Sequence, residues 1–425
     1  MLARRTQRVV LPADPRSRRS LVPPGPGPLR KLALTLIGVV LFLTVTGVVM
    51  VQSASQVTAI AGGQNPISGF VRQGSYALIG LALFVVLSRV PTVVLRRRAW
   101  WLLGAGFTLQ LLVYTPLGYE AGGNRNWLRL GPISAQPAEF MKFVLLVWVA
   151  TVLAAKLPLL GRWWHVVIPI LPVVALSMFI NVLGGDLGTL MIITALVFGC
   201  LFFSGVRLRF LAGIAALAAA GIAVMTLIKP NRVVRIIHFI EIDCLSDTEH
   251  AQGVCWQSLN GFWALARGGV FGAGVGNSKA KWSWLPEAET DFIFAIIGEE
   301  LGAVGAGVIL LAFVTLVAVL IALMGHCRDP FAVAVLGGAA AWITAQMAVN
   351  VAVVLGFIPV LGVPLPFVSA GGTSLISTLM AMGVVLACVR EQGEASLSEA
   401  TGRRLKSAER PAVCPGEESN SVRPQ

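Results

Sequence analysis

Three acids, Asp291, Glu299 and Glu300, enter one apolar run in the second half of the chain. Asp291 stands directly after Leu285-Pro286-Glu287-Ala288-Glu289-Thr290, and Glu299 and Glu300 follow about two helical turns further on. A charge at membrane depth is costly unless it faces a cavity or a partner, so such residues read as functional first. At the start of a helix Asp291 has two roles open to it. It is either an ordinary N-cap, ionised with the help of the helix dipole, or a general base whose pKa is raised by partial burial so that it accepts a proton from a substrate hydroxyl. The base is the preferred reading. Glu299 and Glu300 lie deeper and read as structural support, tying the helix to its neighbours.

Other candidates sit at the starts of other apolar runs. Gln136-Pro137-Ala138-Glu139-Phe140-Met141-Lys142 places proline in a first helical turn and puts Glu139 and Lys142 on one face, either as a simple ion pair or as part of a binding site. Asp186, in Gly184-Gly185-Asp186-Leu187-Gly188-Thr189, either caps a tight turn or meets a ligand. Arg125, Trp127 and Arg129 fall in a loop where positive charge is disfavoured, which points to an anion. Arginine suits pyrophosphate because its planar fork donates paired hydrogen bonds, and Arg232 and Arg235 are placed to add to such a site.

The elements that must position these groups are membrane helices. Of 425 residues 56% are hydrophobic and only 12% charged, too apolar a balance for a water-exposed domain. Apolar stretches long enough to cross a bilayer recur at Leu32–Val51, Tyr76–Val94, Trp100–Leu117, Phe140–Ala155, Val166–Leu183, Gly188–Phe203, Leu211–Ile228, Phe292–Met324, Ala332–Val354 and Phe367–Cys388. The predicted fold class is therefore all-α integral membrane, with about ten transmembrane helices. The first span has no small-residue cleavage site behind it and reads as an anchor. Residues 1–31 form a basic tail, 32–388 the membrane domain and 389–425 a second tail, both tails being expected to be flexible.

The net charge of +13 is distributed, and its placement decides its meaning. Arg16, Arg18, Arg19, Arg30 and Lys31 precede the first span, Arg96–Arg98 follow the second, Lys156 and Arg162 the fourth, and Arg207 and Arg209 the sixth. These loops and both termini are expected in the cytoplasm. No aromatic residues are interleaved with the basic ones, so anionic lipid is the expected partner of the charge and nucleic acid is not.

The stretch 229–290 is far longer than packed helices need and is expected outside. Leu259, Phe262 and Leu265, beside Trp256 and Trp263, predict a short amphipathic helix at the membrane interface, and the Gly-rich run Gly268–Asn277 permits tight turns and close approach to a ligand. The six cysteines show no zinc spacing, while Cys244 and Cys255 share this outer loop and are expected to form a disulfide.

Six ordered motifs together resemble the SEDS family of membrane proteins (shape, elongation, division and sporulation). They are Asn124-Arg125-Asn126-Trp127, Gln136 to Lys142, Asp186-Leu187-Gly188-Thr189, Gly269 to Asn277, Leu285 to Gly302, and Pro364 to Ser374. In Gly298-Glu299-Glu300-Leu301-Gly302, glycine before the paired acids is more similar to the division (FtsW) branch than to the elongation (RodA) branch. The resemblance implies ten helices and a glycosyltransferase that polymerises lipid II into β-1,4 glycan strands on the outer face, releasing undecaprenyl pyrophosphate. It puts the catalytic aspartate at Asp291, taking a proton from the acceptor's GlcNAc 4-hydroxyl, with inversion at the donor's MurNAc. It adds Ser369 to the binding candidates, and implies a divalent cation, Mg2+, of unknown ligands. It further implies a septal location in the inner membrane, a class B penicillin-binding transpeptidase as partner, and divisome proteins of the FtsQ, FtsL and FtsB group. Gly185, Ala138 and Ala370 depart from the family pattern, where proline, serine and an aromatic residue are usual.

Two other functions fit some of these residues. A lipid-precursor flippase or transporter would use Glu139, Asp186, Glu299 and Glu300 as a polar path, and a division scaffold would not need Asp291 at all. Clustering of Asp291, Arg125 and the glycines outside favours the enzyme.

Overall fold

The computed structural model describes residues 27–121, 124–131, 133–157, 163–216, 221, 255–282 and 284–408. Its helices are α1 (Gly27–Ala61), α2 (Ser68–Arg89), α3 (Thr92–Leu112), α4 (Pro137–Ala155), α5 (Trp163–Leu183), α6 (Leu187–Phe203), α7 (Trp256–Gly268), α8 (Ile293–His326), α9 (Pro330–Val354) and α10 (Gly372–Ala408). Except for α7, which matches the predicted short amphipathic helix, each matches a predicted span. The seventh span, Leu211–Ile228, lies largely outside the described residues, within which a helix covers 208–216. Six helices (α1, α2, α4, α8, α9 and α10) are long and apolar enough to cross a membrane, and α5 and α6 contain shorter apolar runs.

α4 is the axis of the bundle. Nearly every residue from Pro137 to Leu153 is buried, as expected of a helix apolar on all sides, and it touches α3, α5, α6, α9 and α10. Around it the helices approach closely through small residues. A Cβ on Gly199 of α6 would stand 2.3 Å from the Ala341 side chain of α9, and one on Gly338 of α9 would stand 2.3 Å from Cys200 Sγ. Small residues let backbones pack where lipid offers no hydrophobic force between helices.

Several boundaries differ from expectation: α1 runs on to Ala61, α2 and α3 begin earlier, at Ser68 and Thr92, and α10 differs at both ends. α10 begins at Gly372, because residues 357–371 cross the end of the bundle without helical structure. It then runs on to Ala408, through a segment whose polar composition predicts flexibility. Local pairing accounts for the extension: Arg328 bonds Glu399 at 3.0 Å and, through its N–H, Gln392 at 3.0 Å, and Arg390 lies 3.7 Å from Glu394 at i,i+4 spacing.

The predicted loop around Arg125 is a small antiparallel sheet, β1 (Gly118–Ala121), β2 (Asn124–Leu130) and β3 (Ile133–Ala135), in the order β1-β2-β3. Along β2 successive side chains take opposite faces. Leu128 points inward at 1% exposure, while Trp127 packs on Tyr119 and Arg129 lies 4.6 Å over the same ring. The amide of Arg125 donates to Gly184 O, which seats the sheet on the α5–α6 turn.

Candidate active site

Asp291 stands in the loop just ahead of α8, outside the span. The N-cap of α8 is Phe292, and no side chain caps it, so Asp291 does not cap this helix. Among the described residues nothing donates to its carboxylate. Its carbonyl instead accepts from Asn350 Nδ2 at 2.8 Å, and the same amide donates to Val363 O at 2.8 Å, joining the Asp291 loop to the 357–371 segment. Ser369 completes the joint: its hydroxyl donates to Thr290 O at 2.5 Å and accepts from Leu365 N at 2.7 Å, and Ala370 N donates to Glu289 O at 2.8 Å. Ser369 is thus engaged with backbone, in contrast with the ligand contact expected of it.

Among the described residues two non-glycine residues hold positive φ, Glu287 (54°) and Phe367 (63°), and they lie in these two joined loops. Such backbone is costly for L-residues and persists only where the surroundings enforce it. Enforcement comes from α1: a Cβ on Gly47 would stand 2.3 Å from Phe367 O.

The electrostatics follow. Asp291 is half-buried, and desolvation of its carboxyl, with the Glu287 and Asp186 carboxylates adding repulsion, lifts its pKa from the usual carboxylate range to about 7. A base with a pKa near ambient pH is well matched to accept a proton from a hydroxyl.

Asp186 is its opposite in detail. It is the N-cap of α6, accepting from Thr189 N at 2.9 Å and Thr189 Oγ1 at 2.8 Å, and it also receives Gln136 Nε2 at 3.0 Å and Asn126 Nδ2 at 3.1 Å. Three elements, β2, the start of α4 and α6, therefore converge on one buried carboxylate. Arg125 stands at the exposed edge of this cluster, spending two of its donors on Val113 O and Thr115 O at 3.2 Å each.

The remaining predicted residues separate. Glu139 and Lys142 face each other at 2.7 Å inside the bundle, 3% and 1% exposed, with Gln346 Oε1 3.3 Å and the Trp342 ring 5.2 Å from the ammonium. They hold α4 to α9 and do not reach an open surface. Glu299 and Glu300 are both 1% exposed and fully engaged. Arg232, Arg235 and Cys244 lie outside the described residues; Cys255 is buried and disulfide-bonded.

The Gly-rich run has an unexpected use. α8 is broken at Gly302 (φ 69°), which frees backbone groups on both sides of the break. Ala273 N and Gly274 N donate to Glu299 O and Glu300 O, while Gly269 O and Val270 O accept from Ala303 N and Val304 N. The glycines allow this approach, since a Cβ on Gly272 would stand 2.2 Å from Glu300 O and one on Gly268 1.9 Å from Gly298 O. The run splices a broken helix, a need that membrane interiors impose. α7 supports it, packing Gly261 against the Phe292 ring while Phe262 and Trp263 stay exposed.

Sequence reasoning missed Asn350 and Gln346, for which a polar amide inside an apolar helix was the available signal. It quoted Gln136 and Asn126 within their motifs without giving either a role, although their amides fasten Asp186.

Comparison with known proteins agrees with this architecture. The family model for FtsW, RodA and SpoVE, described as cell cycle protein, matches residues 33–394. The chain is 33% identical over 350 residues to the probable peptidoglycan glycosyltransferase FtsW of Coxiella burnetii, covering 81% of this chain and 93% of that one. It is 33% identical over 354 residues to the stage V sporulation protein E of Bacillus subtilis, covering 83% and 95%. Among solved structures, the rod shape determining protein RodA of Thermus thermophilus superposes with a TM-score of 0.61 at 28% identity, over 84% of this chain and 96% of that one. A chain from a peptidoglycan synthase complex that coordinates polymerization and crosslinking superposes with a TM-score of 0.66 at 28% identity, over 85% and 97%. With the family model covering residues 33–394 and relatives named FtsW at 33% identity, this chain belongs to the FtsW/RodA/SpoVE family, the SEDS proteins, with FtsW favoured among them.

Proposed function

We propose that this multi-pass membrane protein, a peptidoglycan glycosyltransferase of cell division, uses Asp291 as the general base that polymerises lipid II. The observation that carries the assignment is a half-buried carboxylate with no donor among the described residues and a pKa of about 7, held by two fastened loops. Asp291 takes the proton of the acceptor's 4-hydroxyl as that oxygen bonds the anomeric carbon of the donor. The bond from that carbon to pyrophosphate breaks, undecaprenyl pyrophosphate leaves with the electron pair, and an α-linked donor yields a β-1,4 link. Arg125, exposed and with donors to spare, is suited to the pyrophosphate.

The expected Mg2+ has no protein-built cage among the described residues, where no three His, Cys, Asp or Glu side chains converge. Mg2+ keeps waters and takes phosphate oxygens readily, but the side chains present do not define its site and no step is assigned to it. The pairing of Glu139, Glu299 and Glu300 inside the bundle supports an enzyme over a transporter, because none is free to relay protons.

A penicillin-binding transpeptidase is the natural partner, given the likeness to a chain of a synthase complex; the class B enzyme and the FtsQ, FtsL and FtsB group are the specific proposals. Septal residence and cytoplasmic termini belong to the same reading. The far ends of α1 and α10 support the latter, since their near ends, at Ser53 and Thr373, meet Glu300 and Gln136 beside the site.

The test is polymerisation of lipid II by the purified full chain with its transpeptidase, crosslinking blocked. Asp291→Asn is expected to lose about 10²- to 10⁴-fold in rate while folding and partner binding persist. Equal polymerisation by wild type and variant overturns the assignment.

A further inference from the structure

Lys281 is a buried charge that the reaction above does not use. It is 4% exposed, and its three N–H donors are all matched: Gly276 O at 2.6 Å, Glu300 Oε1 at 3.1 Å and Ser53 Oγ at 3.3 Å. Ser53, on α1, donates to Glu300 at 2.7 Å and 2.8 Å to its two oxygens. Next to this triad, Glu299 receives Ser278 Oγ at 2.5 Å, Lys279 N at 2.8 Å and Ala280 N at 3.2 Å, with Arg267 3.4 Å away.

These contacts gather at the C-terminal end of a half-helix. The break at Gly302 separates Ile293–Leu301 from the rest of α8, so the short piece does not inherit its position from the long one. Asp291 stands just ahead of the N-terminal end of that piece. A buried ion pair gains little stability over a well-packed apolar pair, whereas removing one partner strands the other charge. A Lys–Glu–Ser triad at the break therefore fixes geometry more than it adds stability. α1 is the common reference, since Ser53 holds the Glu300 end of the half-helix and Gly47, nearer the start of α1, presses on the Phe367 loop beside the Asp291 end.

We propose that Lys281 is a positioning residue for glycosyl transfer: by pinning Glu300 to Ser53 of α1 it sets the height and tilt of the half-helix that carries Asp291. The proposal rests on Asp291 as the base, and the experiment separates the two. Initial rates of lipid II polymerisation by the full chain with its transpeptidase are compared for wild type, Asp291→Asn, Lys281→Met, Lys281→Arg and Ser53→Ala, each normalised to folded protein by thermal melting in detergent.

A misplacement of about 1 Å costs up to about a hundredfold, so Lys281→Met is expected to lose 10- to 100-fold, in kcat. KM should stay within about twofold, since the substrate contacts are elsewhere, and Lys281→Arg should restore part of the rate. Folded Lys281→Met with wild-type kcat, or with its loss in KM alone, overturns the proposal. Should Lys281→Met fail to fold, Ser53→Ala decides, because it keeps the ion pair and removes its anchor: a fall in kcat at unchanged KM supports the role, and an unchanged kcat overturns it. An active Asp291→Asn would sink the base assignment; an inactive one beside fully active Lys281 variants would sink this inference alone.

Discussion

Asp186 and Asp291 occupy matching places and live opposite lives. Each precedes an apolar helix at the same end of the bundle, each follows a tight turn, and the Asp186 carboxylate is close enough to repel charge on Asp291. Asp186 accepts four hydrogen bonds and caps its helix; Asp291 accepts none among the described residues and caps nothing. A carboxylate saturated with donors is stabilised as an anion and is committed to structure. One left without donors, desolvated and beside like charge holds its proton to a higher pH and remains available for chemistry. The difference lies in neighbours, not in residue type.

The comparison is broken most severely by exchanging the losses. Asp291→Asn should abolish polymerisation with the melting temperature of the detergent-solubilised protein nearly unchanged, whereas Asp186→Ala should lower the melting temperature first. Loss of an N-cap alone costs about 0.5–2 kcal/mol, and the stranded Asn126 and Gln136 donors add to it. A drop in melting temperature for Asp291→Asn matching that of Asp186→Ala would erase the contrast.

A smaller effect concerns pH. The rate should rise with pH through about 7 as Asp291 loses its proton, giving kcat/KM an acid limb there. The sign for stability is the reverse. An unfolded aspartate releases its proton near 3.9, so between that pH and about 7 the folded chain binds more protons and the contribution of this residue to stability falls as pH rises. Asp291→Asn should flatten that slope in pH-dependent melting. The smallest effect is that of Glu287→Gln, which removes one repelling charge and should move the acid limb to lower pH without lowering the plateau rate.

Sequence spacing captured what is local. The i,i+3 relation of Glu139 and Lys142 allowed their pairing, and the turn before Thr189 allowed an Asp186 cap, each beside the substrate-binding role expected of these residues, because both contacts depend on residues within one helical turn. The helix positions were legible for the same reason, each span carrying its own apolar signal. The break at Gly302 was not, since Gly298 to Ala303 reads as one continuous run; what permits it is a strand of backbone from Gly269 to Gly274. The same holds for Ser53, Lys281 and Asn350, whose partners are far away in sequence. The glycine run and Ser369 looked like ligand contacts because glycine and serine suit both purposes, and only the fold distinguishes them. The sheet around Arg125 reads as a loop from sequence, because Asn124 to Leu130 carries no clean alternation of apolar and polar residues and its partners β1 and β3 are only a few residues long.

The splice at Gly302 has a consequence for how the chain is assembled. When α8 enters the bilayer, four backbone groups at the break, two carbonyls and two amides, need partners from the Gly-rich run that precedes it. The upstream run must therefore already be waiting at the membrane surface, or dock as the helix arrives. One residue added to or removed from Gly269–Gly274 would put donors opposite donors, so this short stretch should tolerate exchanges of exposed side chains far better than any change in its length.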